Sequence, residues 1–166
     1  SKLSEIYVLA DPKYSGRVSV PVLWDKKTKT IVNNESSEII RMLNSAFNAL
    51  TNIATDFYPE KLRPAIDTIN DLVYPNINNG VYRAGFATAQ DAYELAFRGV
   101  FDALDEIEQI LSQQRYLIGN AITEADWRLY CTLVRFDAVY YSHFKSNWRP
   151  IYEYPNLSNY LPNLYH

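Results

Sequence analysis

Cys131, His143 and His166 are the only cysteine and histidine side chains in the 166 residues. A lone thiol excludes an internal disulfide and any paired-thiol redox motif, and this set cannot build a structural zinc site, so no metal is expected. Cys131 lies between Tyr130 and Thr132, with no basic neighbour in sequence, on a stretch spaced like a buried helix. It therefore reads as an inert core thiol. The polar chemistry lies elsewhere. Glu35 and Ser36 stand where an amphipathic helix begins. There the Ser36 hydroxyl and free backbone amides can bind a carboxylate, while Glu35 attracts an ammonium group. The same pair also serves as an ordinary helix cap. Arg17, in a loop, can meet another carboxylate or simply be solvated. Fourteen tyrosines, half of them from Tyr130 onward, offer flat apolar faces with one polar tip. Such side chains suit helix packing and aromatic ligands alike.

These residues need elements to position them, and the chain supplies two unequal sets. Tyr7 to Arg17 contains Asp11-Pro12 and Ser15-Gly16 and reads as loop. Val20 to Asp25 suits a strand, Lys26 to Lys29 a polar turn, and Thr30 to Asn33 the returning strand of a hairpin. Ile39, Ile40, Leu43 and Phe47 then form the apolar stripe of a helix from Glu35 to about Phe47. Two strands and one helix bury too little to stand alone.

From about Asp56 onward the pattern is entirely helical. Pro59 fits a first helical turn, the helix runs through Ile66, Ile69 and Val73, and Pro75 should kink or end it before Asn78-Asn79-Gly80. A second helix starts at Thr88, with Asp91 completing a variant capping box, and turns inward Leu95, Ala96, Val100, Ala103, Leu104, Ile107 and Leu111. Asp102, Asp105, Glu106 and Glu108 read as its solvated face. A third opens at Thr123-Glu124-Ala125-Asp126, a capping box, and continues to about Tyr141 with Trp127, Tyr130, Cys131, Val134 and Ala138 at helical spacing. A last amphipathic stretch, Leu157 to Leu164, is interrupted by Pro162. The composition, 48% apolar and 21% charged with net charge −3, is that of a globular protein without the basic footprint of nucleic-acid binding. No apolar run is long enough to span a bilayer, and one cysteine fits a reducing compartment such as the cytoplasm.

Strand hairpin and helix, linker, then an all-helical domain is the layout of the glutathione transferase superfamily, and particular segments carry the resemblance. Ser19-Val20-Pro21-Val22-Leu23 resembles that family's strand with its cis-proline, and Asn34 to Ile40 its Glu-Ser helix start. Tyr116 to Asp126 resembles the capping-box segment of its central helix. Ala10 to Arg17, Val20 to Lys27, Asn78 to Ala87 and Leu133 to Lys145 are similar to the xi class, the glutathionyl-hydroquinone reductases. The resemblance implies a mainly α fold: residues 1–50 as the C-terminal part of a thioredoxin-like glutathione-binding domain, and 56–166 as an all-helical C-terminal domain.

It also implies roles. Val20, ahead of Pro21, would offer its backbone to the glutathione peptide as an added strand; Glu35 and Ser36 would hold its γ-glutamyl head, and Arg17 the other carboxylate. Tyr74, Asn78 and Tyr82, near the end of the first long helix of the helical domain, would meet the hydroquinone. The xi-class reaction needs a cysteine in a Cys-Pro-Trp-Ala motif that attacks the sulfur of a glutathionyl-hydroquinone, after which a second glutathione resolves the mixed disulfide. The 166 residues hold no such motif. The expectation is a reductase whose shortened chain is inactive by itself, with glutathione as co-substrate, a homodimer in the parent protein, and neither nucleic acid nor membrane as partner. A non-enzymatic docking module and an omega-type thioltransferase are the competing readings.

Overall fold

The computed structural model describes residues 2–53 and 55–165. His166, one of the two histidines weighed as ligands, lies outside the described residues. The chain divides into two compact units between Asp56 and Phe57.

The first unit opens with α1 (Leu3–Ala10). The loop expected from Tyr7 therefore begins only at Asp11, because the breakers Asp11-Pro12 and Ser15-Gly16 all follow the helix. The sequence hides α1 because it is eight residues long and Tyr7 is its one buried side chain. Strands β1 (Leu23–Asp25) and β2 (Thr30–Asn33) pair antiparallel, with Trp24 opposite Ile31, Asp25 opposite Thr30, and an irregularity between Leu23 and Trp24. Their turn is fixed by Asp25, whose Oδ1 accepts from the Lys27 amide at 2.7 Å and the Thr28 amide at 3.2 Å. Lys29 takes the left-handed conformation, φ 55°. Helix α2 (Ser36–Ser45) follows with Glu35 at its N-cap. Of its expected apolar stripe only Ile39 is buried; Ile40, Leu43 and Phe47 are exposed.

The second unit is helical. Helix α3 (Arg63–Val73) carries Pro64 in its first turn, where no backbone donor is lost. Pro75 does not end the run. Tyr74–Asn78 forms a π-helical turn closed by the Asn79 amide on the Tyr74 carbonyl at 2.8 Å, and α4 (Gly80–Gly85) continues directly. A wider turn accommodates a proline that lacks a donor and crowds the preceding one. Helix α5 (Gln90–Leu111) starts after Ala89 with no side-chain cap bond, so the box expected from Thr88 and Asp91 does not form. Asp91 instead accepts from the adjacent Ala92 amide. Ala96, Val100, Ala103, Leu104, Ile107 and Leu111 are buried as spaced, but Leu95 is exposed.

Helix α6 (Glu124–Arg135) has the expected capping box, in which the Asp126 carboxylate accepts from the Thr123 amide at 2.7 Å and hydroxyl at 2.9 Å. The same buried carboxylate accepts from the Leu117 amide at 2.9 Å and the Tyr160 hydroxyl at 2.8 Å. A second π-helical turn, Phe136–Tyr140, extends α6. Of the apolar stripe expected along α6, Trp127 and Tyr130 pack half-buried against the core, but Cys131, Val134 and Ala138 do not. The inner face of α6 is Ala125, Leu129, Thr132, Leu133 and Phe136, whereas Cys131 and Val134 are exposed. Leucine and alanine at the buried positions were less conspicuous than the aromatic residues between them. Helix α7 (Leu157–Tyr165) runs through Pro162, because Leu157, Tyr160 and Leu164 anchor it in the core on both sides of the proline. Its start is held by Glu108, which is no solvated charge: its carboxylate accepts from the Asn156 amide, the Asn156 side chain and the Leu157 amide, each at 2.8 Å. One core, including Ile66, Val73, Leu104, Ile107, Leu129 and Leu133, joins these helices.

Candidate functional site

In the first unit, β1 and α2 hold the polar segments singled out above. The Val20–Pro21 bond is cis, as expected, and Val20 is 75% exposed. At the start of α2, Glu35 accepts from the Ser37 amide and hydroxyl, both at 3.3 Å, and from the Ser36 hydroxyl at 3.4 Å. These are long, exposed bonds, near the weak end of the range, which a ligand group can replace cheaply. The loop bearing Asn33 fixes the approach: its side-chain oxygen accepts from the Glu35 amide at 2.7 Å. Arg17 is exposed, and its carbonyl accepts from the Tyr14 hydroxyl at 2.8 Å.

The Val20 and Glu35 segments meet at one atom. The Tyr7 hydroxyl donates to the Ser19 carbonyl at 2.7 Å and accepts from the Asn34 side-chain amide at 3.2 Å. Sequence reading missed Tyr7. Nothing local marks a residue whose partners lie 12 and 27 positions away.

In the second unit, the residues weighed for an aromatic ligand separate into two groups. Asn78 turns inward, its side-chain amide donating to the Arg128 carbonyl at 3.0 Å and the Thr132 hydroxyl at 2.7 Å. Tyr74 is half exposed, with the Arg128 guanidinium over its ring at 5.6 Å. Tyr82 belongs to an aromatic cluster. Its hydroxyl lies 2.8 Å from that of Tyr140, their rings meet edge to face at 5.4 Å, and Phe144 packs against both at 5.3 Å. Phe86, 73% exposed, stacks beside Tyr82 at 6.3 Å. Burial first, then the bond to Tyr82, pushes the Tyr140 phenol up to about 12, so it remains a proton donor at neutral pH. Tyr140 was seen in the sequence only within a similar segment. Its pairing with a residue 58 positions away has no local signature.

The two π-helical turns bracket these residues, Tyr74 and Asn78 at the ends of one and Tyr140 at the end of the other. Such turns recur at functional sites because they re-aim side chains that a regular helix would misplace. Cys131 stands apart, exposed in the middle of α6 rather than at a helix N-terminus, with Arg135 donating to its carbonyl. The expectation of a core thiol is thus corrected, because it rested on the stripe expected along α6. Among the described residues no group of three or more histidine, cysteine, aspartate or glutamate side chains could hold a metal, and no helix is long and apolar enough to cross a membrane.

A helical unit whose central helix opens on a capping box, after a strand hairpin with a cis-proline, defines a class. Residues 90–161 match the glutathione S-transferase C-terminal domain. The chain is similar to glutathionyl-hydroquinone reductases and xi-class glutathione transferases. It is 56% identical to glutathionyl-hydroquinone reductase PcpF of Sphingobium chlorophenolicum, over 98% of this chain and 52% of that one. It superposes on the glutathione-bound structure of YqjG from Escherichia coli with a TM-score of 0.95 and 57% identity, over 99% of this chain and 53% of that one. The xi-class transferase of Phanerochaete chrysosporium gives a TM-score of 0.94 at 54% identity, over 98% of this chain and 56% of that one. The chain spans about half the length of the curated relatives it matches.

Proposed function

We propose that this chain supplies part of the glutathione site and the aromatic-substrate domain of a cytoplasmic, homodimeric glutathionyl-hydroquinone reductase. The observation that carries the reading is the exposed Glu35-Ser36 helix start, brought together with the Val20–Pro21 segment at the Tyr7 hydroxyl. A carboxylate at the helix-start amides, in place of the long Glu35 cap bond, and an ammonium at Glu35 match the two charges of a γ-glutamyl head. The exposed Val20 backbone suits the peptide that follows it, and Arg17 the far carboxylate. The extensive identity to a relative whose structure holds glutathione supports the same assignment.

In the helical unit, the exposed rings of Tyr82 and Phe86 offer faces to a hydroquinone, with Tyr140 behind Tyr82 and Asn78 bracing the preceding turn. When a thiolate takes the glutathionyl sulfur, the ring carbon it leaves must gain a proton. Water supplies that proton, since the Tyr140 hydroxyl is buried and bonded to Tyr82. Glutathione then displaces the protein thiol from the mixed disulfide, yielding glutathione disulfide. Cys131 is not that thiol, and these 166 residues by themselves are inactive in the exchange.

The protein expressed from its whole coding sequence tests this directly. It should reduce a glutathionyl-hydroquinone in preference to a small glutathione mixed disulfide. The reverse preference would assign an omega-type thioltransferase. Neither activity, with no retention on immobilised glutathione, would leave a docking module.

A further inference from the structure

Tyr7 is buried, and its hydroxyl uses its whole bonding capacity: it donates to the Ser19 carbonyl at 2.7 Å and accepts from the Ser19 amide at 3.4 Å and the Asn34 side chain at 3.2 Å. Each partner is informative by position. Ser19 immediately precedes Val20, and Asn34 immediately precedes Glu35. One oxygen thus sets the distance between the two segments assigned to the glutathione backbone and to its γ-glutamyl head. The Tyr7 ring is held in turn by Tyr14, with centroids 4.9 Å apart, and Tyr14 bonds the Arg17 carbonyl. Two tyrosines therefore reach the backbone or flank of every polar segment proposed for this half-site.

We propose that Tyr7 is a positioning residue for glutathione, locking the Val20 and Glu35-Ser36 segments at the spacing the tripeptide needs. This rests on the reading that those segments hold glutathione. Hydrogen bonds from Ser19 and then Asn34 also hold the Tyr7 phenol below the usual tyrosine value, consistent with a hydroxyl that accepts as well as donates. A bond needed only for folding would show itself in stability. A positioning bond shows itself in the ligand's affinity, because the spacing error is corrected at the expense of binding.

The test uses the protein expressed from its whole coding sequence. Tyr7→Phe keeps the ring and removes the bridge. It should raise the glutathione Kd and KM about tenfold, the equivalent of one bond, with kcat at saturating glutathione within about twofold. Asn34→Ala should weaken binding in the same direction, and the double variant should be no weaker than Tyr7→Phe alone, because both remove one bridge. Asp25→Ala loosens the hairpin turn without touching that bridge and serves as the stability control: it should lower Tm and leave the Kd unchanged. Wild-type affinity in Tyr7→Phe, or a Kd loss in Asp25→Ala matching its Tm loss, would overturn the positioning role while the glutathione site stands. Should Tyr7→Phe fail to fold, Asn34→Ala alone decides by the same criteria. Absence of glutathione binding by the wild type would instead remove the site, and the proposal with it.

Discussion

Tyr140 faces Tyr82 with hydroxyls 2.8 Å apart, and its phenol, raised to about 12 in the fold, stands above the ordinary tyrosine value of about 10. The folded state therefore holds this proton more tightly than the unfolded chain does. The resulting stabilisation is complete below pH about 10 and is lost as pH rises toward about 12. Ultraviolet titration should show a phenolate forming near pH 12 that disappears in Tyr140→Phe, and that variant should lose less stability between pH 10 and 12. Asp126 accepts four bonds in the core. Tyr160→Phe should cost about 1.5–3 kcal/mol, the worth of a bond to a charged acceptor, measured by urea denaturation. Burial and the adjacent Asp126 charge raise the Tyr160 phenol well above its usual value, so this bond persists throughout the neutral range. The Thr123–Asp126 box was legible because its members lie three residues apart. The Tyr160 arm, 34 residues distant, was not.

At the scale of elements, hairpin, turn and the main helices follow their sequence patterns, while departures cluster where tertiary contacts override local rules. Pro75 and Pro162 read as breaks because a proline removes a donor, yet both helices continue where buried residues on either side hold them. Glu108 read as solvated because its neighbours are acidic, although it caps a helix 48 residues away. Glu108→Ala should therefore unpin the start of α7 and cost about 1–3 kcal/mol, with amide hydrogen exchange accelerated first in residues 157–160. An unchanged exchange pattern there would show that the cap is not what holds the helix. The stripe on α6 departs for a different reason: Trp127 and Tyr130, which pack half-buried at the edge of the core, are more conspicuous in sequence than the fully buried Ala125 and Leu129.

Across the whole molecule, two units of different character share the proposed work. The helical unit carries the main core, and Leu104→Ala, at a fully buried site, should cost about 2–5 kcal/mol by calorimetry, with lost transfer energy and the residual cavity both contributing. The first unit leaves Val20, Ile40, Leu43 and Phe47 exposed and holds together by its polar contacts, which is where the glutathione reading is most exposed to test. Glutathione titration calorimetry, on the protein expressed from its whole coding sequence, is the most direct test of that reading. Saturable binding to the wild type should weaken at least about tenfold in Glu35→Ala and in Ser36→Ala, each losing one charge-assisted contact to the head group. Absence of saturable binding by the wild type, or equal affinity in both variants, would contradict it.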